Sequence, residues 1–221
     1  AASMINYTQP MPILTAYPWP EGVDIPRLMP YQEFPWNGDH FLAAEVLRLK
    51  KAHNIMSAIE TGTCLGSTAL WLAEHFAEVN TAEVNGRFFT IAVKRCEPLI
   101  GDDATMLIIH QKTSVEMMRV VSAGLYWLDA HWNEHCPLLD ELSLLAEQHG
   151  MHPMKPCIVI HDFQVPGTDF GFDSMPDGRP FNLELIAGHL DRIYGEGKWR
   201  HSYPTEVAGA MRGWISIEPC S

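Results

Sequence analysis

Residues 57–73 read SAIETGTCLGSTALWLA. An apolar run over 55–59 meets a carboxylate at Glu60. A small-residue turn follows, Thr61-Gly62-Thr63-Cys64-Leu65-Gly66, and a helical pattern begins at Ser67. Strand, acidic tip, tight turn and helix make the first half of a βαβ unit. Gly62 permits a sharp turn that a Cβ would hinder, and Gly66 permits close packing of helix on strand. The unpaired N–H groups at the helix start can face a polar ligand. An ordinary βα loop has the same spelling, so the rest of the chain must decide. The three-glycine dinucleotide fingerprint is missing, because Thr63 and Cys64 fill its middle.

Outward from that stretch, β and α patterns alternate. Asp39 is placed to cap a helix running to about residue 53, with Phe41, Leu42, Val46 and Leu49 on one face. Residues 78–83 predict a second strand ending in Glu83, and 86–100 a helix closed by Gly101. Residues 104–110 predict a third strand, after which Ser114 caps a helix. Residues 124–128 predict a fourth, tipped by Asp129-Ala130-His131-Trp132. Pro137 suits the first turn of a helix reaching 150. Residues 157–161 form a fifth strand tipped by His161-Asp162, and 181–194 a further helix. Residues 200–205 and 213–218 read as an antiparallel pair. The expected fold is α/β: a doubly wound, mostly parallel seven-stranded sheet with helices on both faces. Ligands of such sheets bind beyond the carboxyl ends of the strands. Glu60, Glu83, Asp129, His161 and Asp162 all fall at those ends, which core formation does not explain.

Fifteen Lys and Arg against 27 Asp and Glu leave a formal charge of −12. A nucleic-acid surface needs clustered bases, so the balance favours a small substrate instead. No apolar run approaches the ~18 residues of a membrane span. The opening AASMINYTQP lacks the basic and apolar regions of a secretory signal. Five scattered cysteines without a C-x-x-C pair suggest free thiols and a cytoplasmic setting.

Residues 1–36 hold seven prolines interleaved with Tyr7, Tyr17, Trp19, Tyr31, Phe34 and Trp36. That proline density forbids helix, while the aromatics require burial. The expectation is an extended arm laid across the domain formed by 37–221, or across a second subunit of a homo-oligomer.

With the strand tips placed, IETGTCLGSTALWLA, TAEVN, HQKTSVEMM, YWLDAHW with PLLDEL, and CIVIHDF resemble class I S-adenosylmethionine (SAM)-dependent methyltransferases. The nearest resemblance is to metal-dependent small-molecule O-methyltransferases: the catechol, macrolide-sugar and cephalosporin-hydroxylase-like groups. It covers most of the chain from Asn37 onward. The resemblance implies that Gly62, Thr63 and Cys64 pass under the SAM methionine, with Ser67 near its carboxylate. Glu60 would act through the shell around the sulfonium or amino group. Glu83 would take both ribose hydroxyls, unless it is a strand-end charge facing water. Ser114 would approach the adenine amine, although Lys112-Thr113 replaces the family's usual preceding residues.

The resemblance also implies a divalent metal, Mg²⁺ first, on Asp129 and Asp162, with His161 as a third ligand or outside the shell. Imidazole ligation by His161 would shift preference toward Mn²⁺, Fe²⁺ or Zn²⁺. His131 has three readings: general base, metal ligand, or a stacking partner of adenine with Trp132. Residues 163–180 read as a lid offering Phe170 and Phe172 as walls and Asp169 and Asp173 as hydrogen-bonding groups, or as plain packing. His53, His75 and His149 read as solvated helix ends. The implied activity is methyl transfer from SAM to a hydroxyl of a sugar or natural-product type of molecule. Rival readings are an Fe²⁺-dependent hydroxylase on the same scaffold, and a non-catalytic SAM- or nucleotide-binding subunit.

Overall fold

Strands buried on both faces set the architecture. The computed structural model describes residues 3–5, 7, 10–98, 106–131 and 135–220. Its strands are β1 Ser3–Met4, β2 Ser57–Thr61, β3 Glu78–Ala82, β4 Met106–His110, β5 Leu125–Leu128, β6 Cys157–His161, β7 Trp199–Tyr203 and β8 Trp214–Pro219. Its helices are α1 His40–His53, α2 Ser67–His75, α3 Gly86–Cys96, α4 Ser114–Met118, α5 Leu138–His149 and α6 Leu183–Tyr194. On one face of the sheet Ile59, Tyr126, Leu128, Ile158 and Ile160 pack with apolar residues of α5 and α6. The intervening residues Ala58, Leu125, Trp127, Cys157 and Val159 pack with α1 and α2 on the other. Successive side chains point to opposite faces of a strand, so a fully apolar strand is what a two-sided sheet requires.

The sheet order is β1-β7-β8-β6-β5-β2-β3-β4. Strands β2, β3, β4, β5 and β6 pair in parallel, whereas β8 runs antiparallel to both β6 and β7. The seven expected strands are present, and β1 adds a short parallel pairing outside β7. The chain winds outward from β2 to β4, then crosses back to place β5 on the other side of β2. A crevice therefore opens between the carboxyl ends of β2 and β5.

Local chemistry explains most helix ends. Asp39 caps α1 by accepting from the N–H groups of Phe41 and Leu42, and its second oxygen accepts from Trp214 Nε1 at 3.1 Å. Thr113, not Ser114, caps α4: its hydroxyl accepts from Glu116 N while the Glu116 side chain accepts from Thr113 N. That reciprocal box satisfies two orphan donors and leaves Ser114 facing inward. α3 stops at Cys96, and Gly101, its expected terminator, lies outside the described residues. The three histidines expected to be solvated have partners instead. His53 Nε2 lies 2.6 Å from Glu218, His75 Nδ1 2.7 Å from Trp71 O, and His149 Nε2 3.2 Å from the Tyr126 hydroxyl.

Trp36 and Arg95 make two of the arm's contacts with the domain. Trp36, fully buried, stands edge-on between Trp71 and Trp127, with ring centroids 5.1 and 5.0 Å away. Arg95 on α3 donates to the carbonyls of Tyr17, Pro18 and Glu33 and lies 3.8 Å over the Trp19 ring. Trp36 Nε1 is buried with no partner among the described residues, which costs part of what the ring's burial contributes. Replacing Trp36 with Ala is expected to cost about 3–5 kcal/mol in urea unfolding. Trp36→Phe should cost clearly less, because the unpaired N–H leaves with the indole; equal costs would contradict this.

Candidate functional site

The turn after β2 is pressed against the tip of β5. A Cβ on Gly62 would stand 2.7 Å from Asp129 O, and its φ of +84 is in the left-handed region, so only glycine fits. The N–H groups of Gly62 and Thr63 both reach Ala82 O, which straps the turn to β3. Cys64 also takes a left-handed φ, of 50.

Beside this turn lies a cavity of about 450 Å³. Of the residues singled out in the sequence, Gly62, Cys64, Glu83, Ser114, Asp129, His131 and Asp162 line it. Glu83 is held by two backbone donors, Cys64 N at 2.8 Å to one oxygen and Asn85 N at 2.8 Å to the other. Burial raises its pKa, and these donors oppose the rise. Each carboxylate oxygen has a further lone pair, enough to accept from two vicinal hydroxyls.

Glu60, Thr63 and Ser67 lie behind that wall. Thr81 Oγ1 donates to Glu60 at 2.6 Å and lies 2.6 Å from Thr63 Oγ1, a buried chain that braces the turn from below. Ser67 donates to Gln32 O and accepts from Arg95 Nη1, both at 2.8 Å, so its hydroxyl is engaged away from the cavity. The hydroxyl expected near the ligand carboxylate is thus taken up by an arm contact in this structure.

Across the cavity, the tips of β5 and β6 meet. His131 Nε2 lies 2.7 Å from Asp162 and 3.5 Å from Asp173, while His161 Nδ1 lies 3.1 Å from Asp129. Arg212, in the loop between β7 and β8, bridges Asp162 to Asp173 of the 163–180 segment. Asp162 itself adopts φ 53, a conformation Asp tolerates better than most residues. The carboxylates dominate the local titration. Burial alone would keep both imidazoles neutral, but Asp162 and Asp129 raise His131, and raise His161 well above its ordinary value. Asp162 is held well below the usual carboxylate range: burial is outweighed by His161 and His131.

Among the described residues, Asp129, His131 and Asp162 offer ligand atoms within 4.8 Å of one another. His161, read as a third ligand or as outside the shell, is buried beside them, its Nδ1 3.1 Å from Asp129. Of the expected lid groups, Asp173 reaches the cavity, Phe170 packs into the core, and Asp169 and Phe172 are exposed. Trp132 lies outside the described residues.

Four contributors escape a reading by motif: Gln32 of the arm and Asn37 just after it line the cavity, Arg212 clamps the 163–180 segment, and Glu141 lies buried near Ser114. Burial pushes the Glu141 carboxyl up to about 7, against the hydroxyls of Ser114 and Thr61. A lone carboxylate on the inner face of the apolar run LLDELSLL was the one signal available for it.

No protein-family model matches this chain, and no curated protein does. Solved structures do match. An 11% identical Klebsiella pneumoniae protein assigned as an O-methyltransferase superimposes with TM-score 0.57, over 82% of this chain and 80% of that one. The Streptomyces achromogenes O-methyltransferase TomG, of tomaymycin synthesis and in complex with SAM, gives 0.57 at 11% identity, covering 82% and 81%. An O-methyltransferase from Bacillus cereus in complex with SAH gives 0.50 at 15% identity, covering 80% of each chain. The chain has the methyltransferase fold. At these identities the likeness is one of fold, and no helix among the described residues is long and apolar enough to cross a membrane.

Burial drives the Glu60 carboxyl from 4.5 up to about 8, with Thr81 opposing and Asp129 and Glu83 reinforcing the rise. The unfolded chain releases this proton first, so the group's contribution to stability is lost as pH rises from 4.5 toward 8. Glu60→Gln should therefore raise the melting temperature of the free protein near pH 8 and change it little near pH 4.5, in thermal unfolding across pH. A gain independent of pH would show that Glu60 is not held protonated.

Proposed function

We propose that this protein is a SAM-dependent O-methyltransferase acting on a hydroxyl of a small molecule of sugar or natural-product type. One observation carries the reading. A single cavity at the β2–β5 crevice joins a glycine turn and a doubly anchored Glu83 to a hydrogen-bonded His131–Asp162 pair. The methyltransferase fold supports it.

In this reading the ribose hydroxyls donate to Glu83, and the sulfonium lies over Gly62, whose missing Cβ lets the turn close onto the tip of β5. The acceptor oxygen attacks the methyl carbon in line. The C–O bond forms as the C–S bond breaks, and the pair of electrons stays on sulfur. The acceptor's proton passes to the His131–Asp162 pair, where Asp129 and Asp162 stabilise the imidazolium. Much of the acceleration comes from holding donor and acceptor in contact. Phe181, edge-on to His131 at 4.9 Å, keeps the ring from rotating away.

As an alternative to that proton transfer, Asp129, His131 and Asp162 would hold a divalent cation through the lone pairs the proton otherwise takes, and one imidazole among carboxylates suits Mn²⁺, Fe²⁺ or Zn²⁺ as well as Mg²⁺. Bound there, such an ion would supply Lewis acidity at the acceptor hydroxyl. An iron-dependent hydroxylase draws less from this site, since its usual set is two imidazoles and one carboxylate, the reverse of this one.

Calorimetric titration with SAM tests the reading. The wild type should bind it, and Glu83→Ala should weaken binding by about tenfold or more, roughly 1.4 kcal/mol. Asp162→Ala should abolish methyl transfer across a panel of hydroxylated acceptors while leaving SAM affinity within about threefold. A wild type that ignores SAM, or a Glu83→Ala variant of unchanged affinity, would contradict the assignment.

A further inference from the structure

We propose that Gln32, on the proline-rich arm, binds the carboxylate of the cofactor's amino-acid end; this rests on the SAM reading above. Residues 29–32 form a turn in which Gln32 N donates to Met29 O at 3.3 Å, with Pro30 second and Tyr31 third at φ 71. Proline followed by a left-handed residue is the requirement of a type II turn. The Gln32 side chain folds back so that Oε1 accepts from Met29 N at 2.9 Å. A backbone N–H can only donate, so this contact fixes the oxygen on the turn side and leaves the Nε2 donor on the other.

That donor is poorly used. Among the described residues its one partner is Cys64 Sγ at 3.9 Å, a weak acceptor. Gln32 lines the same cavity as Gly62, Cys64 and Glu83. Cys64 ties the two ends together, its N–H on Glu83 and its sulfur beside Gln32. Ser67, the hydroxyl that the family resemblance would send to the carboxylate, is buried between Arg95 and Gln32 O. The contact that removes Ser67 from the cavity is the one that seats Gln32 in it. Arg95, holding three arm carbonyls, keeps the segment in place.

The test is calorimetry on the full chain with S-adenosylhomocysteine and with 5′-methylthioadenosine, which keeps the thionucleoside and lacks the amino acid. Gln32→Glu keeps an acceptor for Met29 N, removes the donor and adds a negative charge. Gln32→Ala removes both. The expected order of S-adenosylhomocysteine affinity is wild type, then Gln32→Ala about threefold or more weaker, then Gln32→Glu about tenfold or more weaker. Methylthioadenosine affinity should stay within about twofold for both variants. Gln32→Glu binding S-adenosylhomocysteine as well as wild type, or better than Gln32→Ala, overturns the assignment, as does equal loss for both ligands. A wild type that binds neither ligand refutes the SAM reading itself, and the assignment with it.

Discussion

The missing Cβ of Gly62 is the constraint on which the site depends. With a methyl group there, the β2 turn would collide with Asp129 O at 2.7 Å, and the tips of β2 and β5 would have to part. Their contact places Glu83, reached through Cys64 N, on one wall of a cavity that has Asp129 on the other. Parallel pairing of β2 with β5 and of β2 with β3 then fixes the spacing of those walls by backbone hydrogen bonds. Side-chain flexibility has little part in it.

A rim so rich in carboxylates holds together because it carries its own counterions. Asp129, Asp162 and Asp173 face His131, His161 and Arg212, and the two imidazoles are raised by the acids beside them. The protein's formal charge of −12 is thus not mirrored locally. Arg212 also joins the 163–180 segment to the end of β6 through Asp173 and Asp162, so the two share one ion-pair network.

Much of this was legible in the chain. Strand tips could be placed because short strand-like segments end at Glu60, Glu83, Asp129 and His161, and all four tips lie at the carboxyl end of the parallel strands. What local pattern could not convey were contacts made across long separations. Ser67 has the position of a ligand-binding hydroxyl, yet an arm carbonyl 35 residues away and Arg95 claim it. Arg212 sits in an unremarkable loop, and only the antiparallel return of β8 beside β6 brings it to Asp162. Gln32 belongs to a segment whose prolines foretold an extended arm but not what it covers. Thr113 and Ser114 are both competent caps, and the Glu116 carboxylate selects the first.

A crystal structure with S-adenosylhomocysteine would measure the central claim directly. The nucleoside should lie in the β2–β5 crevice, with both ribose hydroxyls on the Glu83 carboxylate and the sulfur above Gly62, facing Asp129 and His131. A nucleoside seated elsewhere on the molecule, or a Glu83 turned away from the sugar, would contradict it.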